Sequence, residues 1–196
     1  MSMHDQQLKQ VIEAALFAAD EPLSVDQLKE LLAAQQVSKA KIQTTLSALQ
    51  QDYQNRGVQL QQVASGYRFQ TRTELGSILA GLWQEKPPKY SQALLETLAL
   101  IAYRQPITRG DIEEIRGVSV SSQIMKTLQE RGWVKVVGQR EVPGRPQLYA
   151  TTAEFLDYFN VKDLAELPPI PSSENAQQAT ATESTTAETA TDQRVH

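Results

Sequence analysis

The chain contains one short pattern twice, and this repeat limits the possible folds more than any other feature. Pro22-Leu23-Ser24, followed by Leu28, corresponds to Pro106-Ile107-Thr108, followed by Ile112, 84 positions later. A repeat of about eighty residues exceeds the units of solenoid proteins and matches the size of a small domain. We therefore predict two related modules in tandem, followed by a tail.

The hydrophobic pattern predicts the same order of elements in both modules. In the first, three segments with apolar residues at helical spacing precede two alternating segments at 58–63 and 67–71, which predict a hairpin. The second module repeats this order, with its third helix predicted at 119–131. Three helices followed by a hairpin are typical of a winged helix. The predicted fold class is therefore α+β, mainly helical, with two tandem winged-helix domains and a disordered C-terminal tail.

Hydroxyl residues mark the predicted helix starts. Ser24 with Gln27, and Thr108 with Asp111, have the spacing of a capping box. Three further hydroxyl residues stand where helices are predicted to begin, namely Ser38, Thr73 and Thr152.

Changes in composition predict the domain boundaries. Residues 84–89 form a polar junction with two prolines, which cannot continue a helix. From residue 172 onward the chain is rich in Ser, Thr, Ala, Gln and Glu, so burial cannot offset the entropy of ordering it. We predict an N-terminal domain at 1–86, a C-terminal domain at 87–168 and a disordered tail at 169–196.

Composition argues against an enzyme. The chain has no cysteine, which excludes a cysteine nucleophile and a thiolate zinc site. Its only histidines are His4 and His196, so the commonest general base and the commonest metal ligand are nearly missing. We predict no catalytic residues, no cofactor and no metal. No apolar run approaches the length of a membrane span and no signal-peptide pattern is present, which favours a soluble cytoplasmic protein without a membrane partner.

The third helix of each module is a candidate for DNA recognition, because winged helices often insert this helix into the major groove. The first offers Lys39 and Lys41, and the second offers Lys126 and Arg131. The whole chain carries a formal net charge of −4, which is a weak electrostatic basis for DNA binding. A DNA-binding transcription regulator remains the alternative function.

Two further segments are open to more than one interpretation. In the wing of the second module, either Arg140 and Arg145 flank a recognition surface, or the wing is only a shaped turn in which Arg145 pairs with a nearby carboxylate. After the first hairpin, an apolar stripe belongs either to the core or to a dimer interface. The second interpretation follows because the module already has three helices to fill its centre. We define this apolar stripe as Leu75, Ile78, Leu79, Leu82 and Trp83.

Several segments resemble the segregation and condensation protein B family. They include Ile101 to Arg109, Gly144 to Thr152, and Phe155-Leu156-Asp157-Tyr158-Phe159. The segments cover most of residues 91–168, whereas the first half matches more loosely. Asn160 and Ala150 stand where we expect glycine in this family, and neither change affects the role that the resemblance implies.

The resemblance implies a non-enzymatic protein of bacterial chromosome condensation and segregation, in cell division. Family members form homodimers through their N-terminal modules and bind the kleisin, segregation and condensation protein A. The resemblance also implies that the kleisin bridges the heads of the structural-maintenance-of-chromosomes ATPase, that contact with DNA is indirect and that this protein is associated with the nucleoid. A dimeric scaffold for an unrelated client is a third interpretation. The candidate partner-binding residues are Lys126, Arg131, Arg140, Arg145, Tyr149, Phe155 and Phe159.

Overall fold

Two copies of one helix-and-hairpin scheme follow each other along the chain, as the sequence repeat predicts. The computed structural model describes residues 4–82 and 89–169. Contacts join the chain as far as Glu166 into one unit, and a second unit begins at Leu167. The predicted linker up to residue 88 and the predicted disorder from residue 172 onward lie outside the described residues.

The N-terminal module, residues 4–82, begins with three helices and continues into a hairpin. Its elements are α1 (Asp5–Ala18), α2 (Val25–Leu31), α3 (Lys39–Asp52), β1 (Val58–Val63), β2 (Gly66–Thr71) and α4 (Gly76–Leu79). Leu8, Ile12 and Leu16 recur every four residues in α1 and are buried against α2, α3 and the hairpin. This apolar face closes the core of the module.

The hairpin of the N-terminal module is attached to the segment that precedes α2. Leu23 and Tyr67 exchange two backbone hydrogen bonds of 2.9 Å. Gly66 lies at φ 152, and a Cβ there would come within 2.3 Å of the Leu23 backbone. Glycine is therefore required at position 66, because no side chain fits between the two segments.

The C-terminal module, residues 89–166, follows the same order and adds a short strand before its second helix. Its elements are α5 (Gln92–Arg104), β3 (Ile107–Thr108), α6 (Arg109–Arg116), α7 (Ser122–Glu130), β4 (Val134–Gln139), β5 (Gln147–Thr151) and α8 (Ala153–Tyr158). The strands form an antiparallel sheet in the order β3-β5-β4.

Equivalent residues of the repeat occupy equivalent places in the two modules. Ile107 pairs with Tyr149 of β5, as Leu23 pairs with Tyr67 of β2. Both predicted capping boxes are confirmed, since the Ser24 hydroxyl accepts from Gln27 N and the Thr108 hydroxyl accepts from Asp111 N. The structure therefore confirms the prediction of two tandem winged helices.

Three local predictions need correction. The helix expected after the first hairpin is broken into a 3₁₀ turn at Thr73–Leu75, the short α4 and a second turn at Ala80–Leu82. Gly76 and Gly81 explain the break, because glycine destabilises a helix interior. Thr73 is not the cap, since the capping position falls on Arg72.

The third correction concerns the C-terminal module. Its third helix begins at Ser122, because the Ser121 hydroxyl caps it by accepting from Ile124 N. Met125 and Leu128 are the buried residues of this helix, and Ile124 is half-buried. Ile115 of α6 is 54% exposed.

An ion pair holds the wing against the start of α6. The Arg140 guanidinium donates to both carboxylate oxygens of Asp111, at 2.8 and 2.6 Å. Asp111 Oδ2 also accepts from the Thr108 backbone N–H at 3.0 Å. The Arg140 hydrogen bond, followed by that of Thr108, lowers the pKa of Asp111 from 3.8 to about 2. Arg140 therefore pairs with a carboxylate of its own module, a contact that the sequence analysis did not predict for this residue.

Ile112 and Ile115 provide a matched pair on one helix. Ile112 is fully buried and Ile115 is 54% exposed. Ile112→Ala should lower the free energy of unfolding by about 2–5 kcal/mol, because it leaves a cavity. Ile115→Ala should change it by less than about 0.5 kcal/mol. Urea unfolding of the full chain measures both, and equal losses would contradict this packing.

The Asp111–Arg140 pair predicts a pH effect. Since the folded-state pKa of Asp111, about 2, is below its ordinary 3.8, its contribution is complete above pH 4 and is lost as the pH falls through 2. The stability difference between the native chain and Asp111→Asn should shrink by about 1 kcal/mol from pH 4 to 2, after allowance for partial exposure. Urea titrations at several pH values measure it. The account fails if this difference stays constant.

Candidate partner-binding surfaces

The third helices are poor surfaces for DNA because their lysines already pair with carboxylates of the chain. In α3, Lys39 pairs with Asp26, and Lys41 Nζ lies 2.7 Å from Asp5. In α7, Lys126 Nζ lies 3.5 Å from Glu130. Each neighbouring carboxylate offsets the charge that a phosphate would otherwise meet.

The candidate residues of the wing differ in their contacts. Arg140 is committed to Asp111, as described above. Arg145 lies in the exposed loop, at φ 39, and its backbone N–H donates to Val142 O at 2.9 Å. Val142 is 43% exposed, so the tip presents both an apolar and a cationic residue.

Aromatic rings gather at one end of the C-terminal module, around Trp133, the residue just before β4. The Trp133 ring centroid lies 5.3 Å from that of Tyr90, 4.6 Å from Tyr158 and 5.9 Å from Phe159. The Arg131 guanidinium lies 4.7 Å from the Tyr90 ring centroid and 5.4 Å from that of Trp133. We call these five residues, Tyr90, Arg131, Trp133, Tyr158 and Phe159, the aromatic surface.

The aromatic surface has a buried base and exposed rings. Trp133 is 3% exposed and forms its floor, whereas Tyr158 is 50% and Phe159 41% exposed. Phe155 is buried beneath Phe159, with ring centroids 4.9 Å apart. Large apolar residues this exposed, on a packed and rigid base, are typical of a protein-binding surface.

The structure thus separates the predicted partner-binding residues. Arg131 and Phe159 belong to the aromatic surface, while Tyr149 and Phe155 are buried in the core. The Tyr149 hydroxyl donates to Gln147 at 2.9 Å inside the module. A partner would reach Tyr149 or Phe155 only through the residues that cover them.

Sequence reasoning missed Tyr90, Trp133 and Tyr158 as site residues. Tyr158 stands three residues after Phe155 and one before Phe159, which is more aromatic surface than a helix of six residues can bury. This excess of aromatic residues could have identified Tyr158 as a surface residue from the sequence. Tyr90 and Trp133 carried none, because only the fold brings them together.

The apolar stripe of the N-terminal module lies on the surface. Ile78 is 76% and Leu82 73% exposed, while Leu75 and Leu79 are half-buried. Trp83 lies outside the described residues. Of the two interpretations left open by the sequence, the described part of the stripe is not core.

Two further observations limit the chemistry of the described residues. Within residues 4–82 and 89–169, no group of three or more His, Asp or Glu side chains is arranged to hold a metal ion. In the same part of the chain, no helix has the length and apolar character needed to span a bilayer.

Comparisons with known proteins extend over both modules. The profile of the family described as segregation and condensation complex subunit ScpB matches residues 10–170. A segregation and condensation protein B homolog of Coxiella burnetii is 58% identical over 163 residues, covering 83% of this chain and 78% of the relative. Segregation and condensation protein B of Geobacillus thermodenitrificans is 50% identical over 168 residues, covering 83% and 78%.

A solved structure gives a partial match. It is the dimer of an ScpB N-terminal domain complexed with an ScpA peptide, which is 31% identical, covers 40% of this chain and 96% of its own, and has a TM-score of 0.36. The family profile, in contrast, spans both winged helices of this chain. The chain therefore belongs to the segregation and condensation protein B family.

Proposed function

We propose that this chain is a non-enzymatic accessory subunit of a bacterial condensin complex that contains a kleisin and a structural-maintenance-of-chromosomes ATPase. It would form a homodimer and bind the kleisin, segregation and condensation protein A, in chromosome condensation and segregation during cell division. It would act at the nucleoid in the cytoplasm and reach DNA through the complex. Membership in the family supports the assignment to this complex.

The observation that carries the kleisin-binding part of the proposal is the aromatic surface. It combines a buried tryptophan floor, exposed Tyr158 and Phe159, and an arginine stacked at its edge. Aromatic and arginine side chains dominate the binding energy of protein interfaces. A helical segment with apolar anchors at i, i+3, i+4 or i+7 fits such a surface better than DNA does.

The second part of the proposal concerns self-association of the N-terminal module. In the C-terminal module, the helix that follows the hairpin packs Phe155 into the core and is capped by Thr152. The corresponding segment of the N-terminal module, 73–82, exposes Ile78 and Leu82 instead. A second copy that covers these residues would remove apolar area from water, which favours association.

The domain assignment is part of the same proposal. We assign residues 1–86 to dimerisation, residues 87–168 to kleisin binding and residues 169–196 to a tail. The engaged cations of α3 and α7 argue against the alternative of a DNA-binding regulator. Tight binding of the isolated protein to a defined duplex at about 0.15 M salt, with a Kd near 10 nM or below, would favour that alternative.

Kleisin binding should depend on the exposed rings of the aromatic surface. Tyr158→Ala and Phe159→Ala should each weaken binding of purified kleisin by about 30-fold, the size of an interface hot spot. Isothermal titration calorimetry with the full chain measures this. Circular dichroism checks that each variant remains folded.

Val142 supplies the matched control for these rings. It is an apolar residue of the same module and is similarly exposed, but it lies in the wing. Val142→Ala should leave kleisin affinity unchanged. The proposal is wrong if both aromatic variants bind normally, or if Val142→Ala weakens binding as much as they do.

The dimer should depend on Leu82 and not on a matched leucine elsewhere. Leu82→Asp should convert the dimer to a monomer, because a charge would have to be buried in the interface. Leu31, on α2 of the same module, is 58% exposed, and Leu31→Asp should leave the dimer intact. Light scattering coupled to size-exclusion chromatography measures both masses. Dimers from both variants would exclude the stripe as the interface.

A further inference from the structure

The hairpin of the N-terminal module contacts the end of α8 in the C-terminal module. At the turn of the hairpin, the Ser65 backbone N–H donates to Asp157 Oδ1 at 3.0 Å. On β2, Arg68 Nη2 donates to the backbone carbonyl of Asp157 and to Asn160 Oδ1, both at 2.7 Å. Residues 89 to 92 positions apart in sequence are thus joined by three hydrogen bonds, each with an ionised donor or acceptor.

Arg68 serves as a C-terminal cap for α8. The last carbonyls of a helix have no partner within the helix, and a cation that donates to one of them is favourable. Asn160 stands just past the end of the helix at φ 59, in the left-handed conformation common at this position. In this conformation, the Asn160 side chain accepts a hydrogen bond from the same Arg68 guanidinium.

The two ends of the contact are held by their own modules. Tyr67, beside Arg68, forms two backbone hydrogen bonds with Leu23. These bonds hold the hairpin against the rest of the N-terminal module. Phe155 anchors α8 in the opposite core. Lys162 also lies near Tyr67, where it opposes the rise in the pKa of Tyr67 that burial causes.

The hydrogen bonds between the modules involve few residues. Among the described residues, the pairs of helices and strands that pack most closely all lie within one module. These hydrogen bonds are contacts between the modules that single substitutions can remove.

We infer that Ser65 and Arg68 with Asp157 and Asn160 form a polar lock that fixes the angle between the two modules. The lock adjoins the aromatic surface, because Tyr158 and Phe159 lie between its two acceptor residues. It therefore sets the distance from that surface to the apolar stripe of the N-terminal module. It concerns only contacts within one chain, and so it stands whether or not the proposed partners are correct.

The absence of cysteine makes the lock accessible to spin labelling. Gln43→Cys on α3 and Gln129→Cys on α7 place one label on an exposed position of each module. Pulsed electron–electron double resonance measures the distance between the two labels in the full-length chain. Dilution of the labelled chain with unlabelled chain suppresses distances between copies. The native lock should give one narrow distance distribution. Arg68→Ala should broaden or shift it, because all contacts of that guanidinium with α8 are lost.

Two further variants separate the lock from a folding defect. Asn160→Gly removes one acceptor but keeps the left-handed backbone without strain, and it should broaden the distribution partly. Arg72→Ala removes an arginine whose contacts, with Gln54 and Glu74, stay inside the N-terminal module, and it should leave the distribution narrow. The inference is overturned if the native chain already gives a broad distribution, if both Arg68→Ala and Asn160→Gly leave its width and centre unchanged, or if Arg72→Ala changes it as much as Arg68→Ala does.

Discussion

In each module, the second strand of the hairpin pairs with the residue that follows the repeated proline, Pro22 or Pro106. This pairing closes the module, and the remaining structure depends on it. Leu23 with Tyr67, and Ile107 with Tyr149, bring the hairpin back to the start of the second helix. This closure buries the face of the first helix and positions the third helix and the wing. In the C-terminal module it also positions α8, which carries the exposed rings of the aromatic surface.

Charge and apolar surface are distributed in a way that favours protein partners. The lysines of α3 and α7 pair with carboxylates of the chain, and Arg140 pairs with Asp111. Apolar side chains, in contrast, are exposed on both modules, at Ile78 and Leu82 and at Tyr158 and Phe159. Helix-in-groove recognition uses buried apolar anchors, whereas DNA binding depends on uncompensated cations.

The local signals of the sequence predicted the fold well because they act over a few residues. The repeat, both capping boxes and both hairpins followed from spacing alone. The break in the segment 73–82 was misjudged, since the penalty of Gly76 and Gly81 competes with an otherwise helical pattern. The site was predicted less well. Arg131 and Phe159 were identified, but Tyr90 and Trp133 meet only through tertiary packing, and burial of Tyr149 follows from its pairing with Ile107.

The central claim is that a polypeptide partner binds the aromatic surface of the C-terminal module. Hydrogen–deuterium exchange of the full chain, with and without purified kleisin, tests it most directly. The account predicts slower exchange at the start of β4 and through residues 153–160, with little change in α3. Protection confined to α3, or no protection anywhere in the C-terminal module, would contradict it.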